Sequence, residues 1–241
     1  MSRAALALGV LLGALVLGTR AESRQTSDPD ELYRRRDDLT SAMRAADIWA
    51  QRSRIDAEAA WKLSRVSYWL GTHQADGSRR AALERGVGAG EDAVRLAGDR
   101  PEGHFWLGAN MGELAQSGGP LTALRYRGRI KREFERVVDI DAAWQGGSAD
   151  AALGQWYASV PRLFGGSPEE AERHFRLALA HDPNNTAALS YFAELLMASG
   201  RTGEARAYLR RVADVPFDPE WAPEDREFKR EAAVLLGRLG S

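Results

Sequence analysis

The sequence predicts an all-α protein: a superhelix of about four stacked helical hairpins, closed by a capping helix. Strand formers are scarce, with Val, Ile and Thr together supplying 22 of 241 residues, whereas the strong helix formers Ala, Leu, Arg and Glu dominate. An internal period is also visible. Gly166, Ala171, Phe175 and Ala178 recur as Gly200, Ala205, Leu209 and Val212, each pair 34 residues apart, and Pro183 and Pro216 close the two units. First helices share a large–small–x–x–large signature in Leu107-Gly108-x-x-Met111 and Leu153-Gly154-x-x-Tyr157, with Phe192-Ala193-x-x-Leu196 as a looser copy.

This spacing has a mechanical meaning. Glycine can take the left-handed conformation that ends one helix and opens the turn. Alanine five residues later lets two helices approach closely. The large apolar residue at i+4 and the small one at i+7 complete a single helical stripe. Proline then stops the second helix.

The elements follow in order. Residues 1–21 read as a secretory leader: Arg3 gives the positive start, residues 5–18 are an apolar run of 14, and Thr19-Arg20-Ala21 offers a small-x-small cleavage site. The run is short for a membrane span of about 20 residues. Cleavage near Ala21 is expected, with an uncleaved N-terminal anchor as the alternative. No cysteine is present, which excludes lipoprotein attachment. A linker over 22–29 then leads into one domain over 30–241. Its helices are expected at 30–52, where Ala42, Ala46 and Trp49 weakly match the second-helix stripe, at 56–71, and at 78–97, where Ala89, Ala93 and Leu96 match it better. Further helices are expected at 102–116, 120–138, 149–160, 168–181, 186–198 and 202–213. The helix at 224–239 has one polar face, as a terminal cap requires.

Two units depart from the simple spacing. After Leu107-Gly108 the next helix aligns through Ile130 and Phe134, about ten residues late. After Leu153-Gly154 the turn arrives at Gly166, five residues late, through Val160-Pro161-Arg162-Leu163-Phe164.

Composition narrows the function. Balanced charge, 33 basic against 34 acidic residues, argues against a nucleic-acid partner. The absence of cysteine excludes disulfides, thiolate metal sites and cysteine nucleophiles. Of the four histidines, His174 and His181 lie seven apart without a carboxylate placed as a ligand, and both are expected on the solvated repeat surface. Gly86-Val-Gly-Ala-Gly90 lacks the strand and lysine of a phosphate loop and reads as close helix packing. No nucleophile elbow or triad spacing is visible. The expectation is a non-enzyme without catalytic residue, metal or cofactor.

Seven tryptophans remain. Trp49, Trp61 and Trp221 are expected in the repeat cores. Trp69, Trp106 and Trp156 fall on first helices, whose other face lines the concave groove of such a superhelix. Arg65 and Asn110 are polar positions on the helices of Trp69 and Trp106, and Gln155 and Glu194 fall at groove-facing offsets from Leu153 and Phe192. These seven residues form the candidate groove, an aromatic wall with a few polar groups, suited to a small apolar ligand or a partner segment. Arg65 and Asn110 alternatively serve only to satisfy carbonyls between helices.

The 34-residue units, with Leu107, Gly108, Leu153, Gly154, Tyr157, Gly166, Ala171, Phe175, Ala178, Pro183, Gly200, Ala205 and Leu209 as structural positions, resemble tetratricopeptide repeats. A narrower resemblance rests on Trp61-x-Leu63-Ser64-Arg65, the Pro101–Asn110 segment (PEGHFWLGAN), Gly154-x-Trp156-Tyr157, Gly165-Gly166, Glu169-x-Ala171 and His174-Phe175. Over roughly residues 30–240 the chain is similar to the T component associated with TRAP transporters. That resemblance implies a periplasmic, non-enzymatic partner of a solute-binding protein, and a homo-oligomer, a trimer with a pore through each subunit. It also implies a role in transport, and the aromatic groove read from the residues adds a small apolar ligand as a candidate occupant of the channel. A general exported scaffold for protein partners in envelope assembly is the alternative.

Overall fold

The computed structural model describes residues 28–240, and among these there are eleven α-helices, two single 3₁₀ turns and no strand. The leader expected over 1–21, and nearly all of the linker, lie outside the described residues. No helix among the described residues is long and apolar enough to cross a membrane.

The chain runs α1 (Pro29–Arg34), α2 (Leu39–Ala50), α3 (Ala57–His73), α4 (Asp76–Leu96), α5 (Pro101–Ser117) and α6 (Gly119–Asp141). It continues through α7 (Ser148–Ser159), α8 (Pro168–His181), α9 (Thr186–Ala198), α10 (Thr202–Asp214) and α11 (Ala222–Arg238). The single helix expected over 30–52 is two. Asp38 breaks it, because its carboxylate accepts from the backbone N–H groups of Thr40 and Ser41 and so starts α2 afresh. Asp56, Ser167 and Asn185 cap α3, α8 and α9 in the same way. Proline occupies the first turn of α5, α6, α8 and α11, where its missing N–H is not needed.

Pairs α3/α4, α5/α6, α7/α8 and α9/α10 form four hairpins, each packed on the next, with α11 on α9 and α10. The repeat signature explains the packing. Gly108 and Gly154 are sockets in first helices for large residues of second helices. A Cβ on Gly108 would sit 2.8 Å from the ring of Phe134, and one on Gly154 would sit 2.5 Å from that of Phe175. Ala193 and Leu209 share the corresponding core in the last hairpin. Phe175 and Leu209 are fully buried, each worth about 1.5–3 kcal/mol. The close packing expected of Gly86 and Gly90 also holds, against Asn110 and Leu107 of α5.

The irregular spacing now has a location. The large residue follows its socket by 16 positions in Ala193/Leu209, 21 in Gly154/Phe175 and 26 in Gly108/Phe134. The first excess is the turn Arg162–Phe164 between α7 and α8. The second lengthens α5 and α6 to 17 and 23 residues, against 13 each for α9 and α10.

His174 departs from expectation: it is buried, its Nδ1 lies 2.7 Å from the buried Asp150 carboxylate, and its ring stacks on Tyr157. A histidine one turn after Glu170 on an exposed-looking helix reads as solvated. The preceding helix of its own hairpin, α7, covers it instead through Asp150 and Tyr157.

The superhelix closes on itself. Residues 216–238 reach across the concave face to the N-terminal helices. Arg36, only 1% exposed, bonds both oxygens of Glu224 through Nε and a terminal nitrogen and donates to the Glu220 carbonyl at 2.7 Å. Arg226 meets Asp37 at 3.1 Å, Arg65 meets Glu220 at 3.5 Å, and His73 Nε2 lies 2.7 Å from Glu227.

Candidate functional site

Closure turns the concave groove into a lumen of about 1280 Å³. Its walls come from one face each of the first helices α5, α7 and α9, with Tyr68 of α3 beside them. Residues 120–134 of α6, the inserted turn after α7, and residues 215–228 complete it. The register of the repeat sets which side chains enter. The residue before each large–small pair, Trp106, Ala152 and Tyr191, lines the lumen. The residue after the pair does so in Ala109 and Gln155.

Most of the surface is apolar, and part of it stays open to solvent. Leu121 is 84% exposed, Leu124 54%, Phe217 55% and Phe164 46%. All four belong to the two insertions or to the closing segment, and all line the lumen. Large apolar groups gathered in this way are uncommon on protein surfaces and make this the candidate site. Trp156 spans the wall between them, its indole Nε1 donating to the Arg127 carbonyl at 3.1 Å, while the Arg127 guanidinium stacks on Phe164.

A second region of the same lumen is aromatic and acidic. Trp106 contacts Tyr68 with ring centroids 5.7 Å apart and stacks on Trp221 at 6.5 Å. Tyr191 packs edge-on against Phe228 at 5.8 Å. Glu113 stands two turns beyond Trp106 on the same face of α5. Burial pushes its carboxyl above the usual carboxylate range, with Arg79 a partial offset. Burial likewise raises the Tyr68 and Tyr191 hydroxyls, and Glu113 adds to both shifts.

The expected groove residues divide. Trp106, Gln155 and Trp156 come together in the lumen wall. Trp69 does not: it is 3% exposed, donates from Nε1 to the Arg36 carbonyl at 2.6 Å, and borders a separate cavity of about 260 Å³ under α11. Arg65 lies over the Tyr33 ring at 3.9 Å and joins the closing contacts. Asn110 is fully buried and ties helices together, its amide donating to the Ser64 carbonyl at 3.0 Å, the Ser64 hydroxyl and the Trp106 carbonyl. Glu194 stands outside the lumen wall, its carboxyl raised by burial and then by Glu231. Trp221, expected in a core, lies in the lumen wall because the segment after Pro219 folds over the concave face. Sequence reading missed Tyr68, Glu113 and Tyr191. The repeat register would have found Tyr191, which precedes Phe192-Ala193 as Trp106 precedes Leu107-Gly108.

Among the described residues no group of three or more acidic or histidine side chains could hold a metal ion. The arrangement offers a container with an aromatic, acidic region and an apolar remainder.

Solved structures give the fold a relative. The chain is similar to a thermophilic TPR protein of Thermus thermophilus, at 20% identity and a TM-score of 0.62, over 86% of this chain and 97% of that one. It is also similar to MamA, at 16% identity and a TM-score of 0.50, over 86% of this chain and 99% of the other. At these identities the likeness establishes stacked helical hairpins of tetratricopeptide type. No curated protein matches the sequence. The family model of the TRAP transporter T-component matches residues 100–236, from the start of α5 nearly to the end of α11, which includes most of the lumen wall. By that match, over more than half its length, the chain belongs to the TRAP transporter T-component family.

Proposed function

We propose that this chain is an exported, non-enzymatic adaptor that engages a solute-binding protein of a TRAP-type transport system and holds an apolar ligand in its lumen. One observation carries the reading: a solvent-open lumen of about 1280 Å³ into which the insertions present exposed Leu121, Leu124 and Phe164. A plain scaffold gains nothing from two insertions that enlarge a cavity and expose apolar side chains to it. Family membership supports the transport setting, and the hairpin superhelix suits a protein partner.

Two measurements test the two halves. The neutral dye N-phenyl-1-naphthylamine should fluoresce on binding the purified chain, and Ala152→Trp, which fills the lumen from α7, should weaken that binding at least about tenfold with little change in melting temperature. Unchanged dye binding in the variant overturns the lumen as ligand site. Affinity capture from envelope extract at mild salt should recover a solute-binding protein, identified by mass spectrometry. Recovery of other envelope proteins without it overturns the transport adaptor and favours the general scaffold.

A further inference from the structure

The apolar and the acidic parts of the lumen call for different halves of one ligand. In the aromatic region the faces of Tyr68, Trp106 and Trp221 gather beside Glu113, which makes no ion pair with any described residue. Aromatic faces carry negative quadrupole charge and attract cations, best of all quaternary ammonium groups that have no N–H to satisfy. The charge inventory agrees. The lumen is lined by five carboxyl groups, those of Glu113, Asp182, Asp218, Glu224 and Asp225, and by one basic side chain, Arg127. Glu224 is neutralised by Arg36, Asp225 accepts from the Thr186 hydroxyl and the Asp218 N–H, Asp182 accepts from the Asn184 N–H and Asp218 from the Glu220 N–H. That leaves Glu113 as the carboxylate without a hydrogen-bond or ion-pair partner, with Arg79 acting on it only through space. The Arg127 guanidinium lies over the Phe164 ring. Low-dielectric walls concentrate such a field, so an anion entering this lumen is opposed and a cation is drawn in.

A separate observation points to the same place. Trp106 is 4% exposed, and its indole Nε1–H has no hydrogen-bond partner. Trp69 and Trp156, on equivalent first helices, each donate to a carbonyl. An unpaired buried donor is costly and is relieved by a ligand oxygen brought beside it.

We propose that the lumen selects an amphiphile with a quaternary ammonium head, the head held among Tyr68, Trp106, Trp221 and Glu113 and the apolar chain lying along Leu124, Trp156 and Phe164. This rests on the lumen being a ligand site and adds the chemical class of the ligand. The head's neighbouring oxygen, an ester or hydroxyl as in choline compounds, takes the Trp106 N–H.

The test uses three soluble probes with one chain length: decyltrimethylammonium, decanoate and decanol. Each is titrated into the purified chain below its micelle-forming concentration, followed by tryptophan fluorescence and calorimetry. The ammonium should bind about tenfold or more tightly than decanoate. Glu113→Gln should weaken the ammonium about tenfold and leave decanol unchanged. Glu113 is half-buried and unpaired, so this variant keeps the fold, as its melting temperature will show. Trp106→Phe, which keeps a ring but removes the donor and part of the face, should weaken the ammonium by a smaller factor. Decanoate binding as tightly as the ammonium overturns the head preference while the lumen reading stands. An unchanged ammonium affinity in Glu113→Gln overturns the assigned head site. Failure of all three probes to bind overturns the lumen as ligand site and this proposal with it.

Discussion

Arg36→Met should open the ring. Arg36 is 1% exposed, bonds Glu224 twice, donates to the Glu220 carbonyl at 2.7 Å and to the Tyr33 carbonyl at 3.4 Å, and lies 4.5 Å from the Tyr33 ring centre. Methionine keeps the unbranched stem and its apolar contact, out to the position of Nε, and removes every donor. Breaking a buried pair by removing one partner costs about 3–5 kcal/mol. The Glu224 side chain keeps 21% of its exposure, and burial already raises its carboxyl despite Arg36, so it can take a proton when the guanidinium is lost. The expected loss is therefore at the low end, about 3 kcal/mol. If unfolding is one event, the melting temperature falls by about 6–12 °C. If α11 opens by itself, amide exchange over 222–238 accelerates about 100-fold while the cores around Phe175 and Leu107 keep their protection. A double-mutant cycle with Glu224→Gln should show at least about 1 kcal/mol of coupling. A loss under 1 kcal/mol with unchanged exchange in α11 would refute the closure argument.

The other predictions are shorter. Gly154→Ala should destabilise by about 1–3 kcal/mol, because its Cβ would lie 2.5–3.0 Å from the Phe175 ring, with Phe175→Leu restoring most of the loss. Glycine-to-alanine in an open helix stabilises by about 1 kcal/mol instead, so the sign of the change in urea midpoint decides whether this is a socket. Asn110→Ala should cost about 2 kcal/mol, since the Ser64 and Trp106 carbonyls lose a buried donor, and a shift below about 0.5 kcal/mol would contradict that role. His73 sets a pH dependence. Burial disfavours its charged ring, but the hydrogen bond to Glu227 and the bond to the Trp69 carbonyl prevail and raise its pKa above 6.5. A raised histidine contributes its full stability below pH 6.5 and loses it as pH rises through the higher folded value. Thermal melts from pH 6 upward should therefore fall less steeply in His73→Gln than in the parent, and parallel curves would remove His73 from the clasp.

Much of this molecule follows local rules that a sequence displays. The 34-residue register places Gly166, Ala171 and Phe175 against Gly200, Ala205 and Leu209, and each pair occupies equivalent positions in adjacent hairpins. Trp106, Gln155 and Trp156 fall in the lumen because position within a first helix decides which face a side chain takes. What local pattern does not display is closure. Arg36 and Glu224 are 188 residues apart, and nothing near either one names the other. Local pattern therefore puts Trp69 and Arg65 in the groove, although they support the clasp, and Trp221 in a core, although it roofs the lumen. His174 shows the same limit: its partner Asp150 comes from the preceding helix, and their pairing appears only when α7 and α8 fold together.

The two breaks in the repeat and the lumen are one feature. In the last hairpin, 16 residues between socket and knob suffice for two short helices and a tight turn. The extra residues of the α5/α6 unit make α6 about 34 Å long against about 20 Å for α10, at 1.5 Å per residue. That overhang carries Leu121 and Leu124 beyond any core the neighbouring hairpins could supply. The five-residue excess after α7 sets Phe164 opposite, over Arg127 at the foot of the overhang. Had these additions served packing, Leu121 and Leu124 would be covered, yet they are 84% and 54% exposed while Leu107 and Leu153 one helix away are 1% exposed. Regular spacing builds the wall, and its irregularities make the space inside it.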